Sequence, residues 1–487
     1  MKKYLFALII FLFLPLLITL PIFNDGGAYA YMGTLFFEGK LPYVDGWDHK
    51  GISLYLINAI GYLLGFKSLY GIRLLELILL LCSMSMIFSA LKERYTERVA
   101  FLASIFGLFT MFYFFDAGNL TEEYVSYFVL ICIALLLKKE TRPIHFVIIG
   151  FLFLISFTIR ANLIGFWMSL FFYLVAQLFQ GKKKSVLRQF GYMFVGFLIA
   201  VAFLGIYFVS TDSFQSFYEA AFSYNFAYSK NSTGGIISSM IEVMRRYEVS
   251  IILVAALLVS LLQIKNKKSG ILEGLLVSWI PLELYLSNLS GKQFAHYYLT
   301  WVPIIILSVA VLASYFKQEI QQKEKQYVVI ALVFFLCFQI PTFKLLNEYK
   351  TLVTGVEYKK KNKDIARHIQ ENYKSDQVLI WGNGIYLYSL LEKRAPVPYF
   401  YQTFLKIDNE YSGRYSADLL NQFKGNLPKL VVDARTKSMI FLDNSNRENV
   451  TQSMRKHTQE FLTFFKDKYE LKERKFNMDF YVLKENE

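Results

Sequence analysis

Apolar runs of roughly 17 to 22 residues recur along most of this chain, and that recurrence limits its fold more than any other feature. A helix of that length crosses about 30 Å of hydrocarbon. The runs are Tyr4–Ile22, Ile72–Leu91, Val99–Phe115, Tyr124–Leu137, Ile144–Ile159, Leu163–Phe179, Phe190–Val209, Ser250–Ile264, Ile271–Leu286, Tyr298–Phe316 and Tyr327–Pro341. They predict a polytopic α-helical membrane protein with about 11 transmembrane helices. Composition agrees: 18% of the residues are charged, where a soluble domain carries about a quarter. The opening MKKYLFALIIFLFLPLLITL is read as a retained first span, because its apolar run exceeds a signal-peptide core and no A-x-A site follows. The stretch Ile52–Gly65 is too short to span and suits a helix lying at the interface.

The formal net charge of +14 does not point to nucleic acid, because the basic residues fall in short clusters between spans. Lys2 and Lys3, Lys92–Arg98, Lys138–Arg142, Lys182–Arg188, Lys265–Lys268 and Lys317–Lys325 occupy alternate connections. With the N-terminus cytoplasmic, these clusters lie inside, as the positive-inside rule requires. Making Ile52–Gly65 a span would invert every later loop. An odd number of spans then places the C-terminal segment outside the cytoplasm. Cys82, Cys132 and Cys337 all lie in apolar runs and form neither a disulfide framework nor a metal-ligand spacing.

Two domains are expected: a transmembrane domain over 1–343, whose first outer loop covers 23–71 and holds interfacial helices, and an extracytoplasmic α/β domain over 344–487. In the second, QVLIWG (377–382), KLVVDA (429–434) and DFYVL (479–483) read as buried strands. KDIARHIQENY, SADLLNQF and Thr451–Phe465 show helical spacing. WGNG (381–384) is a strand-to-helix turn that lacks the frame of a phosphate loop.

Ionisable groups at membrane depth are costly and mark sites or paired contacts. Those at the expected outer ends of spans are Asp25, Asp116, Glu122, Glu123, Arg160, Lys292 and His296, with Asp45, Asp48, His49 and Lys50 in the first loop. Such a set suits transfer of a sugar from a phosphate-linked donor. A carboxylate takes the proton of the acceptor hydroxyl, and cations stabilise the departing phosphate. Asp25 suits the first role; Lys50, Arg160, Lys292 and His296 suit the second. Glu122 or Glu123 would orient acceptor or sugar hydroxyls, Glu122 being preferred. The structural alternatives are plain: Glu122 and Glu123 as charges at a helix N-terminus after Thr121, Lys50 and Arg160 as snorkelling cations. Lys292 and His296 have the alternative of being ordinary loop residues, and Asp48 and Asp116 are assigned no role.

The pattern Asp25-x-x-x-Tyr29, Glu38-Gly39, Pro42-Tyr43, Asp45 and Asp48-His49-Lys50 resembles the first outer loop of the GT-C superfamily. The likeness is to bacterial family 39-like (protein mannosyltransferase-like) and aminoarabinose-transferase-like enzymes. Gly118–Tyr124, Gly291–Tyr298 and the entry into the C-terminal domain at Ile365-Ala366 and Val378–Gly382 resemble further blocks of those enzymes. Where relatives follow the lysine with two prolines, this chain has Gly51-Ile52. The resemblance implies Asp25 as the base and Lys50 as the contact to a lipid phosphate, with Tyr29 and His49 in the same motif. It implies an inverting glycosyltransferase of a bacterial plasma membrane, with its site and C-terminal domain on the extracytoplasmic face. The partners would be membrane lipids, a polyprenyl-phosphate-linked sugar donor, and a glycan, lipid or protein acceptor. No cofactor is expected; a divalent cation between Asp25 and Glu122 is the alternative left open. A transporter or flippase of lipid-linked sugar, and a polysaccharide polymerase or ligase using lipid-diphosphate oligosaccharide, are the rival readings.

Overall fold

The computed structural model describes all residues except 20, 21, 23, 231–234, 320–359, 374, 486 and 487. The expected run Tyr327–Pro341 and the expected boundary at 343 lie outside the described residues. Contacts divide the chain into two compact units. One comprises Met1–Thr19, Arg73–Tyr207 and Thr233–Leu352; the other comprises Leu20–Ile72, Phe208–Ser232 and Val353–Glu487.

In chain order the helices are α1 (Lys2–Thr19), α2 (Asn24–Leu35), α3 (Ile52–Leu64), α4 (Tyr70–Arg94), α5 (Glu97–Phe114), α6 (Thr121–Leu136), α7 (Pro143–Phe157) and α8 (Gly165–Phe179). There follow α9 (Lys183–Thr211), α10 (Phe214–Tyr218), a π-helical turn at Glu219–Ser223, α11 (Tyr224–Lys230), α12 (Ile236–Arg246), α13 (Ser250–Lys265), α14 (Ile271–Ser287) and α15 (Trp301–Glu319). The last is entered through a 3₁₀ turn at Ala295–Thr300. Ten of the eleven expected runs coincide with these helices: α1, α4 to α9 and α13 to α15. By length and composition, four helices among the described residues can cross a membrane, or five if α12 and α13 count as one bent span. The shorter helices α7 and α8 have 15 residues each, or about 22 Å at the α-helical rise.

Within the first unit, small residues let helix backbones touch. A Cβ on Gly150 of α7 would lie 1.8 Å from the Met193 carbonyl oxygen, and one on Gly196 of α9 would lie 1.8 Å from the Val147 carbonyl oxygen. Each glycine thus receives the other helix's backbone, the arrangement that favours helix association in lipid. Thr96 starts α5 by accepting from the Val99 amide, and Pro143 starts α7 where a missing N–H is harmless.

The second unit carries a four-stranded sheet, β1 (Val378–Trp381), β2 (Leu430–Asp433), β3 (Tyr469–Lys475) and β4 (Met478–Leu483), in the order β1-β2-β4-β3. β1 and β2 are parallel and the other pairs antiparallel. Its helices are α16 (360–373), α17 (Tyr386–Leu391), α18 (Glu410–Gly425) and α19 (Gln452–Lys468). The three expected strands are present. The fourth, β3, is a charged edge strand, YELKERK, whose side chains are mostly exposed. It is joined to β4 through Phe476 and Asn477, both at positive φ (57° and 64°), as a two-residue hairpin loop requires.

The core of this unit also takes in the first loop. Trp47 is buried among Tyr224, Phe404 and Tyr415, with ring centroids 5.0 to 5.2 Å away. Its amide donates to the Pro398 carbonyl at 2.9 Å. Arg394 lies 4.6 Å over the Tyr31 ring and donates to Glu38 and to Thr34, each at 2.7 Å. The first loop is therefore integral to the α/β core of this unit.

Candidate active site

The expected site residues fall into two groups, one in each unit. Asp25, Tyr29, His49 and Lys50 belong to the second; Glu122, Glu123, Arg160, Lys292 and His296 belong to the first.

In the second unit Asp25 lies in the first turn of α2 and is exposed. A carboxylate there is favoured by the helix dipole, and Asp25 acts electrostatically on His49 and Tyr401. Tyr29, one turn on, is buried. The run Asp48-His49-Lys50 is held from several directions. Asp48 is fully buried and accepts hydrogen bonds from the hydroxyls of Tyr55, at 2.7 Å, and Tyr401. The Tyr43 hydroxyl donates to the Lys50 carbonyl at 2.8 Å, and Asn225 donates to the His49 carbonyl at 2.7 Å. The Lys50 ammonium donates to His49 Nε2 at 2.9 Å, which leaves the ring proton on Nδ1, 3.4 Å from Asp48 Oδ1.

Burial pushes the Asp48 carboxyl up, but the His49 hydrogen bond, the Lys50 charge and the Tyr401 hydroxyl outweigh it and hold the group well below the usual carboxylate range. Burial and the Lys50 charge hold the His49 imidazole below its ordinary value, against the pull of Asp48. Asp48 is therefore an anion that fixes the run, and His49 is a neutral acceptor that aims the lysine.

In the first unit, α6 begins after a turn in which Ala117, Gly118 and Asn119 all have positive φ (61°, 80° and 59°). Glycine adopts this conformation freely but Ala117 does so at a cost, and a buried ion pair holds the turn. Arg73 donates to Glu76 at 2.9 Å, and Glu76 accepts from the Asn119 amide. A Cβ on Gly118 would lie 2.5 Å from Arg73 Nη1 and 2.8 Å from Glu76 Oε1, so the turn is moulded onto this pair.

Beyond the turn, Glu122 is buried, pairs with Arg160 and accepts from the Thr121 hydroxyl at 2.7 Å. The Arg160 guanidinium lies 4.6 Å over the Tyr297 ring. Glu123 turns back to accept from the Leu120 amide at 3.0 Å, as a helix-capping carboxylate does. His296 Nδ1 is 3.0 Å from Asp116 Oδ2, and its ring stacks on Phe294. Lys292 is exposed. The turn thus brings Glu122 to Arg160 and Asp116 to His296 at its two ends.

Asp48, Arg73, Glu76 and Asn225 hold these groups although none was among the expected site residues. Arg73 and Glu76 stand at i and i+3 on one helix face inside an apolar helix, and that spacing is the signal that marks a paired contact. Nothing local marks Asn225. Among the described residues no group of three or more His, Cys, Asp or Glu side chains is arranged to hold a metal ion.

The fold is shared with three solved structures. The structure of ArnT from Cupriavidus metallidurans bound to undecaprenyl phosphate matches over 99% of this chain and 97% of that one, at a TM-score of 0.61 and 11% identity. Apo ArnT from the same organism matches over the same shares, at 0.59 and 12%. The Archaeoglobus fulgidus oligosaccharyltransferase in complex with Zn and sulfate matches over 88% of this chain and 67% of that one, at 0.51 and 13%. The likeness is one of fold, and at these identities it extends over nearly the whole chain for ArnT and over most of it for the oligosaccharyltransferase. No family model matches the chain, and no curated protein matches it in sequence.

Proposed function

We propose that this protein is an inverting glycosyltransferase that moves a monosaccharide from a polyprenyl-phosphate-linked donor to an acceptor hydroxyl. The observation that carries the reading is near full-length likeness to a structure that holds undecaprenyl phosphate. The anchored first-loop lysine adds to it.

The acceptor oxygen attacks the anomeric carbon as the bond from that carbon to the phosphate oxygen breaks. The acceptor proton passes to Asp25, and the phosphate leaves on its lipid with its charge met by Lys50. Glu122, held by Arg160, orients substrate hydroxyls, and Arg160, Lys292 and His296 supply further positive charge. Tyr29, His49 and Glu123 complete the residues assigned to substrate and lipid-phosphate binding. The acceptor is a glycan, lipid or protein at the extracytoplasmic face of a bacterial plasma membrane. In this reading 11 spans place the first loop and the segment 344–487 on that face, with α3 at the interface.

The test supplies purified protein with polyprenyl-phosphate sugars and an acceptor extract and follows both lipid forms by mass spectrometry. Release of sugar-free polyprenyl phosphate is expected. Relocation of intact donor across vesicles without its consumption would identify a flippase instead.

A further inference from the structure

Helix α12 meets α13 at a bend of 104°. α13 is mostly apolar, with no charged residue before Lys265 at its end: it packs Leu253, Ala256 and Val259 inward and exposes Val254, Leu258, Leu261 and Leu262. A continuous exposed apolar stripe of this kind is accommodated by lipid hydrocarbon. With α13 crossing the bilayer, a helix bent by 104° from it runs close to the membrane plane.

The sequence of α12, IISSMIEVMRR, differs from that of a span, since it carries Glu242, Arg245 and Arg246 within 11 residues. Successive residues step roughly 100° around an α-helix, and the side chains of α12 sort into three sectors. Ser239 and Val243 are buried against the protein. Ile237, 73% exposed, and Ile241, 49% exposed, stand one turn apart on a second sector. Ser238, Glu242, Arg245 and Arg246 are exposed on the third, where Arg246 donates to Glu242 at 2.7 Å. A helix in water has no use for the second sector, and a helix in hydrocarbon has none for the third. All three are required where protein, acyl chains and headgroups meet.

We propose that α12 is an interfacial helix that docks this part of the protein into the phospholipid headgroup layer. Ile237 and Ile241 enter the acyl boundary. Arg245, at the border between the apolar and polar sectors, meets lipid phosphate as a snorkelling cation does. The exposed stripe of α13 continues from the same boundary into the hydrocarbon. This assignment stands apart from the proposed reaction, because a flippase would need the same seat.

The experiment uses the full chain with Cys82→Ala, Cys132→Ala and Cys337→Ala, carrying one nitroxide label at position 237, 238, 241 or 242. The protein is reconstituted in vesicles of phosphatidylcholine and phosphatidylglycerol, with a label at position 258 as the hydrocarbon reference. Spin relaxation by oxygen is compared with relaxation by a water-soluble nickel chelate. Labels at 237 and 241 are expected to favour oxygen, and labels at 238 and 242 to favour nickel. Equal nickel accessibility at all four positions would overturn the proposal. Arg245→Glu is expected to raise nickel access at 241 in these anionic vesicles; unchanged access would overturn the phosphate contact.

Discussion

In the run Asp48-His49-Lys50, a buried carboxylate is held by neutral donors, the hydroxyls of Tyr55 and Tyr401. In the turn before α6, the buried carboxylates Glu76 and Glu122 are held by the guanidinium groups of Arg73 and Arg160. Both devices fix irregular backbone beside residues proposed to act on substrate, but they respond differently to their surroundings. Arginine keeps its charge at any pH the protein meets, so the turn before α6 is held by fixed charge. The first-loop run aims a lysine through an imidazole that takes up a proton only on the acid side of its ordinary value. One region is built for permanence and the other for a contact that acid can weaken.

The largest effect should come from breaking the permanent pair. Arg73→Ala leaves Glu76 buried without its cation, a loss of about 3–5 kcal/mol, and releases the left-handed turn. Thermal inactivation in detergent is expected to move to much lower temperature. Replacing both partners by apolar residues should cost less than Arg73→Ala alone, and an equal cost would deny that the pair acts as a unit.

Next in size, Asp48→Ala removes the carboxylate acceptor of the Tyr401 hydroxyl, at about 1–3 kcal/mol for the group left unsatisfied, while the Tyr55 hydroxyl keeps the Lys50 carbonyl at 3.2 Å. If the carboxylate serves to place Lys50, polyprenyl phosphate should bind at least about tenfold more weakly, the equivalent of about 1.4 kcal/mol. Affinity unchanged in a folded Asp48→Ala protein would separate the run from the lipid phosphate.

The smallest effect is the one that distinguishes the two regions. Because the folded His49 lies below its ordinary value, the unfolded chain takes up the proton first. Its contribution to stability is whole above about pH 6.5, the unperturbed imidazole value, and is lost as the pH falls through the lowered folded value. Thermal stability and donor affinity should both decline in that window, and His49→Gln should flatten the decline. The depressed Asp48 adds a loss of the same sign in a separate window, below about pH 4. A decline that persists unchanged in His49→Gln would place the titrating group elsewhere.

Much of this architecture was legible in the sequence because lipid-facing helices need long apolar runs and buried strands need short ones. The described helices α4 to α9 follow those runs, and VLIW and LVVD are buried along their whole length. β3 escaped because an edge strand needs no apolar face. The helix α2 escaped because NDGGAYAYMGTL lacks a helical hydrophobic period, its three glycines disfavouring a helix. The candidate acids and bases were legible singly, since charges beside apolar runs stand out. Their partners were not, because pairing is a property of the folded chain. Asp48 and Tyr401 are 353 positions apart, and Glu76 and Asn119 are 43. Glu123 shows the reverse: its helix-capping bond to Leu120 is local and was foreseeable from the alternative reading of a charge at the N-terminus of α6.

The account turns on Asp25 as the group that takes the acceptor proton. Single-turnover transfer from a polyprenyl-phosphate sugar, measured beside donor binding in wild type and Asp25→Asn, tests it most directly. The account predicts that Asp25→Asn binds donor and releases no polyprenyl phosphate. Transfer at the wild-type rate in that variant would contradict it.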